Sequence, residues 1–270
     1  MDLTFNNVDG LCSEVDLSKE RPIIDLSHVS FFHPFALIYL GMFLRHYNAA
    51  GQAFDMPVPI NSAARNYLSR QNFFGRFNFS PEKIDPSLLR RFTSQTSIND
   101  VVDIERRPGI DEEIAVKVRK VVARSSAVVD LALVEEIVAE LVSNFARHSQ
   151  GPLAALAMQY YPRLHTIRIA VGDCGIGIRK SLSSNPNYAS LSDQPHNVAA
   201  LKAFQAGVSR SHEGGFGLTT VLDNVAELRG AFVLATGDGY VRRSESGPTK
   251  YGDMLFDLPG VQIQVEIPTR

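Results

Sequence analysis

Hydrophobic and polar residues repeat with two different periods along the second half of this chain. Residues 111–126 and 130–148 carry apolar positions three and four apart, which predicts two amphipathic helices. The apolar runs 153–161 and 165–173, separated by a short turn, predict a β-hairpin. The same patterns predict helices near 197–206 and after the glycines at 214–217, and strands at 231–236 and 261–268. Because helices and strands come in blocks, we expect an α+β fold with helices layered on one face of a mixed sheet.

The first part of the chain alternates short strands with helices. Residues 21–27 and 54–60 are short apolar runs that predict two strands, the second at a sheet edge because it contains two prolines. Pro34 can open a helix with a broad apolar face, and Asn61 or Ser62 can cap the next helix. This pattern predicts a small α/β unit at the start of the chain.

A polar stretch at 80–100 with two prolines indicates a boundary between two domains, which we place at residues 1–97 and 98–270. A chain of 270 residues, 44% of them hydrophobic, is long enough to bury the cores of two domains. The polar stretch SLSSNPNYASLSDQPHN offers few apolar anchors and glycines follow it at 214–217, so we expect a mobile loop over roughly 179–213.

Charge and cysteine content narrow the function classes. The chain has 27 basic and 29 acidic residues, which gives no general attraction to nucleic acid or to a membrane surface. Two cysteines make no disulfide framework and fit a reducing compartment. The most apolar run, 31–44, is too short to span a bilayer, and the first residues lack the pattern of a signal peptide. We therefore expect a cytoplasmic protein with no membrane and no nucleic-acid partner.

The helix predicted at 130–148 carries an unusual polar row. Glu136, Glu140, Asn144 and His148 are four residues apart, so they lie on one face of a helix beside an apolar band. A carboxylate on a rigid helix can orient water, and an amide oxygen can hold Mg²⁺ beside phosphate oxygens, which is the positioning that phosphoryl transfer needs. A solvated helix face would explain the row equally well if it stood alone.

Two glycine-containing motifs follow the polar row. Asp173 leaves a predicted strand and opens Asp-x-Gly-x-Gly with Gly175 and Gly177, where a carboxylate can accept from an exocyclic amine and the backbone can approach a flat ring. Gly215 and Gly217 precede a helix, whose first N–H groups suit phosphates. Each motif, taken alone, is also common in ordinary turns and flexible connectors. Their order and spacing together favour a nucleotide site.

In this order, the segments ELVSNFARHS, DCGIG and GGFGL resemble the N box and the two glycine boxes of the GHKL (histidine-kinase-like) ATPases. This superfamily includes gyrase, the histidine kinases and the anti-sigma-factor serine kinases, and the layout here is most similar to the last group. The resemblance covers about residues 100–270 and implies a GHKL-type α/β sandwich that binds ATP with Mg²⁺.

The resemblance also implies roles for particular residues. Glu140 would be the catalytic acid that polarises water or a hydroxyl, and Asn144 would hold Mg²⁺. Asp173 would read the adenine. The other implied nucleotide-binding residues are Arg147 and His148 near the phosphates, Gly175 and Gly177 beneath the ring, and Gly215, Gly217 and Leu218 in the second glycine box.

The segment PIIDLSHVSFFHPFALIYL is similar to the STAS domains of anti-sigma-factor antagonists, which carry a phosphorylatable serine where their helix begins. Here that stretch reads His33-Pro34-Phe35-Ala36 and has no hydroxyl. The resemblance therefore implies a degenerate STAS-like domain at 1–97 that docks a protein partner or forms a homodimer, without the phosphorylation switch.

Two classes of function stay open at this point. The chain can be an ATP-dependent enzyme, either an ATPase switch or a serine/threonine protein kinase, or it can be a non-hydrolysing, ATP-gated protein-interaction module. The helix at 111–126 contains no histidine, which argues against autophosphorylation of the sensor-kinase type. A Rossmann-type dinucleotide site is a distant alternative, because Lys180 stands where its third glycine would be.

Overall fold

The centre of the protein is a five-stranded antiparallel sheet. Our computed structural model describes residues 1–77, 101–105, 110–125, 129–205, 207–208 and 217–269. The strands are β3 (Val102–Glu105), β4 (Leu153–Tyr161), β5 (Thr166–Asp173), β6 (Ala231–Arg243) and β7 (Lys250–Pro268). They lie side by side in the order β3-β4-β5-β7-β6.

The expectation of a mixed sheet is wrong, because every pairing among these five strands is antiparallel. β4 and β5 form the predicted hairpin, with Ala154 opposite Asp173 at its open end. β5 and β6 run in the same direction, but β7 is inserted between them and pairs antiparallel with both. The α+β class is confirmed, with the helices and this sheet sharing two hydrophobic cores.

The helices of the second half cover one face of the sheet. They are α5 (Ile110–Val122), α6 (Leu131–Asn144), α7 (Gly177–Ser183), α8 (His196–Ala203) and α9 (Gly217–Glu227). Large branched side chains point at them from the strands, including Ile167 and Ile169 of β5 and Val265 of β7, all fully buried. This face therefore holds a thick core of interdigitated aliphatic residues.

The opposite face of the sheet is covered by a helix from the first part of the chain. α2 (Pro34–Ala49) is buried along the whole stretch from Pro34 to Leu44, as expected for a helix that is apolar all round. It lies against small residues, since a Cβ atom at Gly172 would be 2.5 Å from Cγ2 of Ile38. The remaining elements of this part are β1 (Asp2–Leu3), α1 (Val8–Ser13), β2 (Phe31–Phe32), α3 (Ser62–Arg70) and α4 (Phe73–Arg76).

The two strands expected at 21–27 and 54–60 are reduced to one parallel bridge between Ile23 and Asp55. The backbone nitrogen of Leu26 still donates to the carbonyl of Pro57 at 3.0 Å, so the two segments run side by side. Prolines have no N–H, so they interrupt the ladder that a regular strand pair would need. A short parallel pair, β1 with β2, forms instead.

The first 77 residues and the sheet share one hydrophobic core, in which residues of α2 contact Ala155 and Ala157 of β4. Two ion pairs reinforce this contact: Arg45 of α2 and Arg76 of α4 both bind Asp103 of β3. The predicted boundary between residues 97 and 98 lies outside the described residues. The assignment of two domains therefore stays a prediction.

His33 immediately precedes α2. Its Nδ1 contacts the guanidinium of Arg168, which also pairs with Glu266 at 2.9 Å. Burial, and then the nearby Arg168 cation, lower the pKa of His33 below its ordinary value. The start of α2 is therefore held against the end of the sheet by a polar cluster.

Among the described residues, no helix has the length and apolar composition that crossing a membrane would require.

Candidate functional site

The polar row begins on α6. Asp130 caps this helix, because its side chain accepts from the backbone nitrogens of Ala132 and Leu133. The apolar band packs on the sheet, with Ile137 and Val138 buried. α6 thus places its polar face at the edge of the core, as the sequence predicts.

The helix does not continue as an α-helix through the whole row. Residues Phe145–Ser149 form a π-helical turn, and Gln150 follows with a left-handed backbone, φ 57°. A π turn adds a residue to the helical repeat and is often found at functional sites. His148 is therefore not the next position of the α-helical stripe, although it still reaches the site described below.

An open cleft lies between the end of α6, the end of β5 and helices α7 and α9. The volume that water-sized spheres can occupy in it is about 110 Å³, and the cleft is open to solvent on one side. Most of the wall is apolar and a few polar groups converge on it, as in a typical ligand pocket. The described lining residues are Leu141, Asn144, Phe145, Arg147, His148, Ser149, Val171, Asp173, Gly177, Ile178, Ser181, Leu182, Ala203, Val208, Gly217, Leu218, Val261 and Ile263.

Asp173 is the carboxylate of the cleft and is 6% exposed. Its Oδ1 accepts from the backbone nitrogen of Gly175 at 2.6 Å. Burial raises the pKa of Asp173 to about 6, and hydrogen bonds from Gly175, Ser149 and Val261 oppose this rise. A buried carboxylate in an apolar cleft, with several donors holding it, can accept one more hydrogen bond from a ligand.

Gly175 and Gly177 have their own structural reasons to be glycine. A Cβ atom at Gly175 would lie 2.0 Å from the carbonyl oxygen of Ser149, so the turn after β5 crosses the π turn in direct backbone contact. Gly177 has φ +72°, which favours glycine. Gly177 lines the cleft, whereas Gly175 is not among the described lining residues. The close backbone approach predicted at Gly175 is thus made to another part of the protein.

Glu140 forms an ion pair with Arg147, from Nη2 to Oε2 at 3.2 Å. The side chains are 48% (Arg147) and 30% (Glu140) exposed, so the pair contributes at most about 1 kcal/mol to stability. A Cβ atom at Gly217 would lie 2.8 Å from Oε2 of Glu140 and 2.9 Å from Oδ1 of Asn144. The first residue of α9 therefore sits against the acid and the amide of α6, and only glycine fits there without displacement.

Asn144 lines the cleft, and its Nδ2 is buried with no hydrogen-bond partner among the described residues, which is rare for a buried polar group. This NH₂ group is a donor and suits a phosphate oxygen, whereas a metal ion would be held by Oδ1. The described residues contain no group of three or more His, Cys, Asp or Glu that could hold a metal ion. One amide beside one carboxylate fits Mg²⁺ only if phosphate oxygens and water complete its shell, as Mg²⁺ usually requires.

Glu136 has a structural contact that the sequence does not reveal. Its Oε2 accepts from Nδ2 of Asn224 at 2.8 Å and so joins α6 to α9. Asn224 is buried, which makes this bond a fixed link between the two helices. A solvated helix face, considered above for the whole polar row, therefore does not fully describe Glu136.

The structure brings most of the predicted site residues together around one cleft. Asn144, Arg147, His148, Asp173, Gly177, Gly217 and Leu218 line it. Glu140 reaches it through its contact with Arg147. Gly215 lies outside the described residues.

Sequence analysis missed the apolar wall and two polar lining residues, Ser149 and Ser181. The wall is formed by Leu141, Phe145, Val171, Ile178, Leu182, Ala203, Val208, Val261 and Ile263. Alternation along β5 and β7 could have indicated which strand residues face the helices, but not that a gap lies between those helices. Ser149 directly follows His148 and shows no periodic signal.

A comparison of the chain with protein-family models finds no match, and a comparison with curated proteins finds no significant one. The chemistry of the cleft must therefore be argued from its own geometry.

Proposed function

We propose that the chain binds ATP with Mg²⁺ in this cleft and acts as an ATPase switch or a serine/threonine protein kinase of the GHKL type. The observation that carries the proposal is Asp173, a buried carboxylate in an apolar cleft whose rim holds Asn144, Arg147 and His148. A flat base suits the apolar wall, and a charged phosphate chain suits the rim.

The acceptor capacity of Asp173 favours adenine as the base of the bound nucleotide. Its Oδ1 already accepts from the backbone nitrogen of Gly175 at 2.6 Å. A single amine, as on adenine, fits the remaining capacity of the carboxylate. Guanine has a carbonyl at the corresponding position and presents two adjacent donors on its neighbouring edge. We therefore expect the cleft to prefer ATP to GTP.

The residues at the rim of the cleft are suited to bind the phosphates of the nucleotide. Arg147 and His148 lie in the π turn beside Asn144, and Arg147 can exchange its weak pair with Glu140 for a phosphate. Asn144 with Glu140 nearby would hold Mg²⁺, which would neutralise phosphate charge during transfer. Once Arg147 binds a phosphate in place of Glu140, the Glu140 carboxylate is available to orient and deprotonate a hydroxyl.

A second function has an observation in its favour. The carboxylate of Glu140 is engaged in an ion pair with Arg147, from Oε2 to Nη2 at 3.2 Å. If that pair persists when ATP is bound, the acid cannot act as a general base. The chain would then be an ATP-gated protein-interaction module that turns over negligibly.

Labelled ATP distinguishes these functions. The purified protein is incubated with γ-labelled ATP, alone and with candidate protein partners, and free phosphate, labelled chain and labelled partner are measured. The enzyme proposal predicts that Glu140→Gln binds ATP with nearly unchanged affinity and loses about a hundred- to ten-thousand-fold in turnover. This loss reflects an interaction needed mainly in the transition state.

Glu136→Gln is the matched control, since it lies one turn earlier and its amide oxygen can still accept from Asn224. It should keep wild-type turnover. Equal, negligible ATP consumption by wild type and Glu140→Gln with every partner tested would favour the interaction module instead.

A further inference from the structure

Helix α7 begins beside the cleft without a side-chain cap of its own. Its N-cap residue, Ile176, makes no side-chain capping hydrogen bond. The first N–H groups of a helix have no partner within the helix, so a buried helix start needs partners from elsewhere. Gly177 and Ile178, the first two residues of α7, both line the cleft. The group that holds this end of α7 therefore shapes the cleft.

Thr236 of β6 supplies a partner for the start of α7. Its Oγ1 accepts from the backbone nitrogen of Ile178 at 3.1 Å and donates to the carbonyl oxygen of Gly260 at 2.8 Å. A hydroxyl has one proton and two lone pairs, so both hydrogen bonds can exist together. Thr236 is fully buried, and side chains alternate along a strand, so it shares the face of β6 that Leu234 buries beneath the helices.

Gly260 brings the end of β5 into the same cluster. A Cβ atom at Gly260 would lie 2.0 Å from the carbonyl oxygen of Asp173, so the two backbones are in direct contact. Gln262 adds a hydrogen bond to that carbonyl oxygen, from its Nε2 at 3.0 Å. Thr236 thus ties the start of α7 to the segment of β7 that supports the main chain of Asp173.

We propose that Thr236 is a positioning residue for the part of the cleft that holds the nucleotide base. Its hydroxyl acts as a cap of α7 supplied by a distant strand, and it holds Gly177 and Ile178 in the wall that they share with Asp173. This inference rests on the proposed function, because it assumes that the base binds between α7 and Asp173. Thr236 is not among the described lining residues, so it acts through α7.

Removing the hydroxyl would leave two buried backbone groups without this partner, the N–H of Ile178 and the carbonyl of Gly260. Buried polar groups are seldom left unpaired, so the start of α7 would shift until water or another group satisfies them. The residues assigned to the phosphates, Arg147 and His148, lie on the π turn and not on α7. The loss should therefore fall on binding of the base and not on binding of the phosphates.

The test compares adenosine, which has no phosphates, with ATP and Mg²⁺. Binding to the full chain is measured by calorimetry at pH 7.5 for wild type and for Thr236→Val, which replaces the hydroxyl by a methyl group. We expect both ligands to bind about tenfold more weakly to the variant, by one common factor, because each loses the same contacts of the base. In turnover, KM should rise while kcat stays unchanged, as when an interaction is lost equally from the ground state and the transition state.

Hydrogen exchange reports on the contact itself and needs no ligand. The amide proton of Ile178 should exchange faster in Thr236→Val than in wild type. Thr236→Ser keeps the hydroxyl and should restore both the exchange rate and the affinities. If Thr236→Val does not fold, Thr236→Cys replaces it with the same expectations, because a thiol is a weak donor and a weak acceptor.

Thr269→Val is the matched control. Thr269 is also buried, and its Oγ1 has no hydrogen-bond partner among the described residues. It follows Pro268, at the opposite end of the pairing between β5 and β7 from Asp173. This variant should bind adenosine and ATP as wild type does.

Three results would overturn the inference alone. The first is wild-type affinity for adenosine in Thr236→Val while Asp173→Asn binds adenosine weakly. The second is an equal loss in Thr236→Val and Thr269→Val, which would show a general loss of stability. The third is a loss confined to ATP, which would place the effect of Thr236 at the phosphates. If Asp173→Asn binds adenosine as wild type does, or wild type binds none, the proposed function fails together with the inference.

Discussion

On one face of the central sheet, small residues such as Ala155, Ala157 and Gly172 lie against the buried helix α2, and α1 packs on β7 beside it. On the other face, branched aliphatic residues lie beneath five helices, and a cleft remains between α6, α7 and α9. Small residues let α2 approach the sheet closely. Large residues under several short helices leave room at the end of β5, where Asp173 emerges. We therefore call the α2 side the closed face, which contributes to stability, and the cleft side the open face, which carries the groups that can bind a ligand.

A substitution on the closed face should give the largest effect. In Gly172→Val, the new Cβ would lie 2.5 Å from Cγ2 of Ile38, in a core with no free volume. We expect a loss of roughly 3 kcal/mol in the free energy of unfolding, at the upper end for overpacked cores. Urea unfolding followed by circular dichroism measures this loss.

Gly10→Ala is the control for that substitution, because its new Cβ would meet only Cδ1 of Leu255 at 3.7 Å, an ordinary contact. It should leave stability unchanged or slightly raised. Similar midpoints for the two variants would mean that α2 is not closely packed on the sheet.

On the open face, Asn144→Ala should change metal-dependent affinity and not stability. The substitution removes the amide that we assign to Mg²⁺, and its buried Nδ2 has no partner to lose among the described residues. We expect ATP affinity with Mg²⁺ to fall roughly tenfold to a hundredfold, or about 1.4–2.7 kcal/mol. Affinity in the presence of a chelator should stay unchanged. Calorimetry with and without chelator is the measurement, and equal losses in both would contradict the metal assignment.

The buried charge of Asp173 predicts a pH-dependent effect on stability. Its folded-state pKa, about 6, lies above the ordinary value of 3.8, so ionising it in the folded protein costs stability as pH rises through this window. Asp173→Asn removes that cost. The variant should therefore be more stable than wild type at pH 7.5, by up to about 3 kcal/mol, and this advantage should disappear below about pH 4. Thermal unfolding at the two pH values checks the sign, and a variant less stable at pH 7.5 would contradict it.

The sequence predicted the open face well where local signals decide the structure. The apolar period located α6, and two apolar runs around a short turn located the β4–β5 hairpin. The antiparallel character of the sheet depends on where β7 inserts, which no local pattern encodes.

Other differences arise from contacts that are distant in sequence or from single residues. Residues Pro186–Asp193, expected as part of a polar loop, form two short 3₁₀ turns divided by a kink at Tyr188. Asn185 caps the first turn, and Leu191 in the second is buried. The π turn and the pair between Glu140 and Arg147 follow from a change in helical repeat that a four-residue spacing cannot reveal. The packing of α2 on the sheet was not predicted, because the sequence pattern placed this helix in a separate domain at 1–97.

The most direct test of the account is a titration of wild type and Asp173→Asn with ATP and with GTP, at pH 7.5 with Mg²⁺, by calorimetry. The account predicts that wild type binds ATP and prefers it to GTP. It also predicts that the variant stays folded but loses roughly tenfold to a hundredfold in ATP affinity, the effect of removing a charged hydrogen-bond acceptor. Equal ATP affinity in the two proteins, or no binding by wild type, would contradict the claim that this cleft is an adenine nucleotide site.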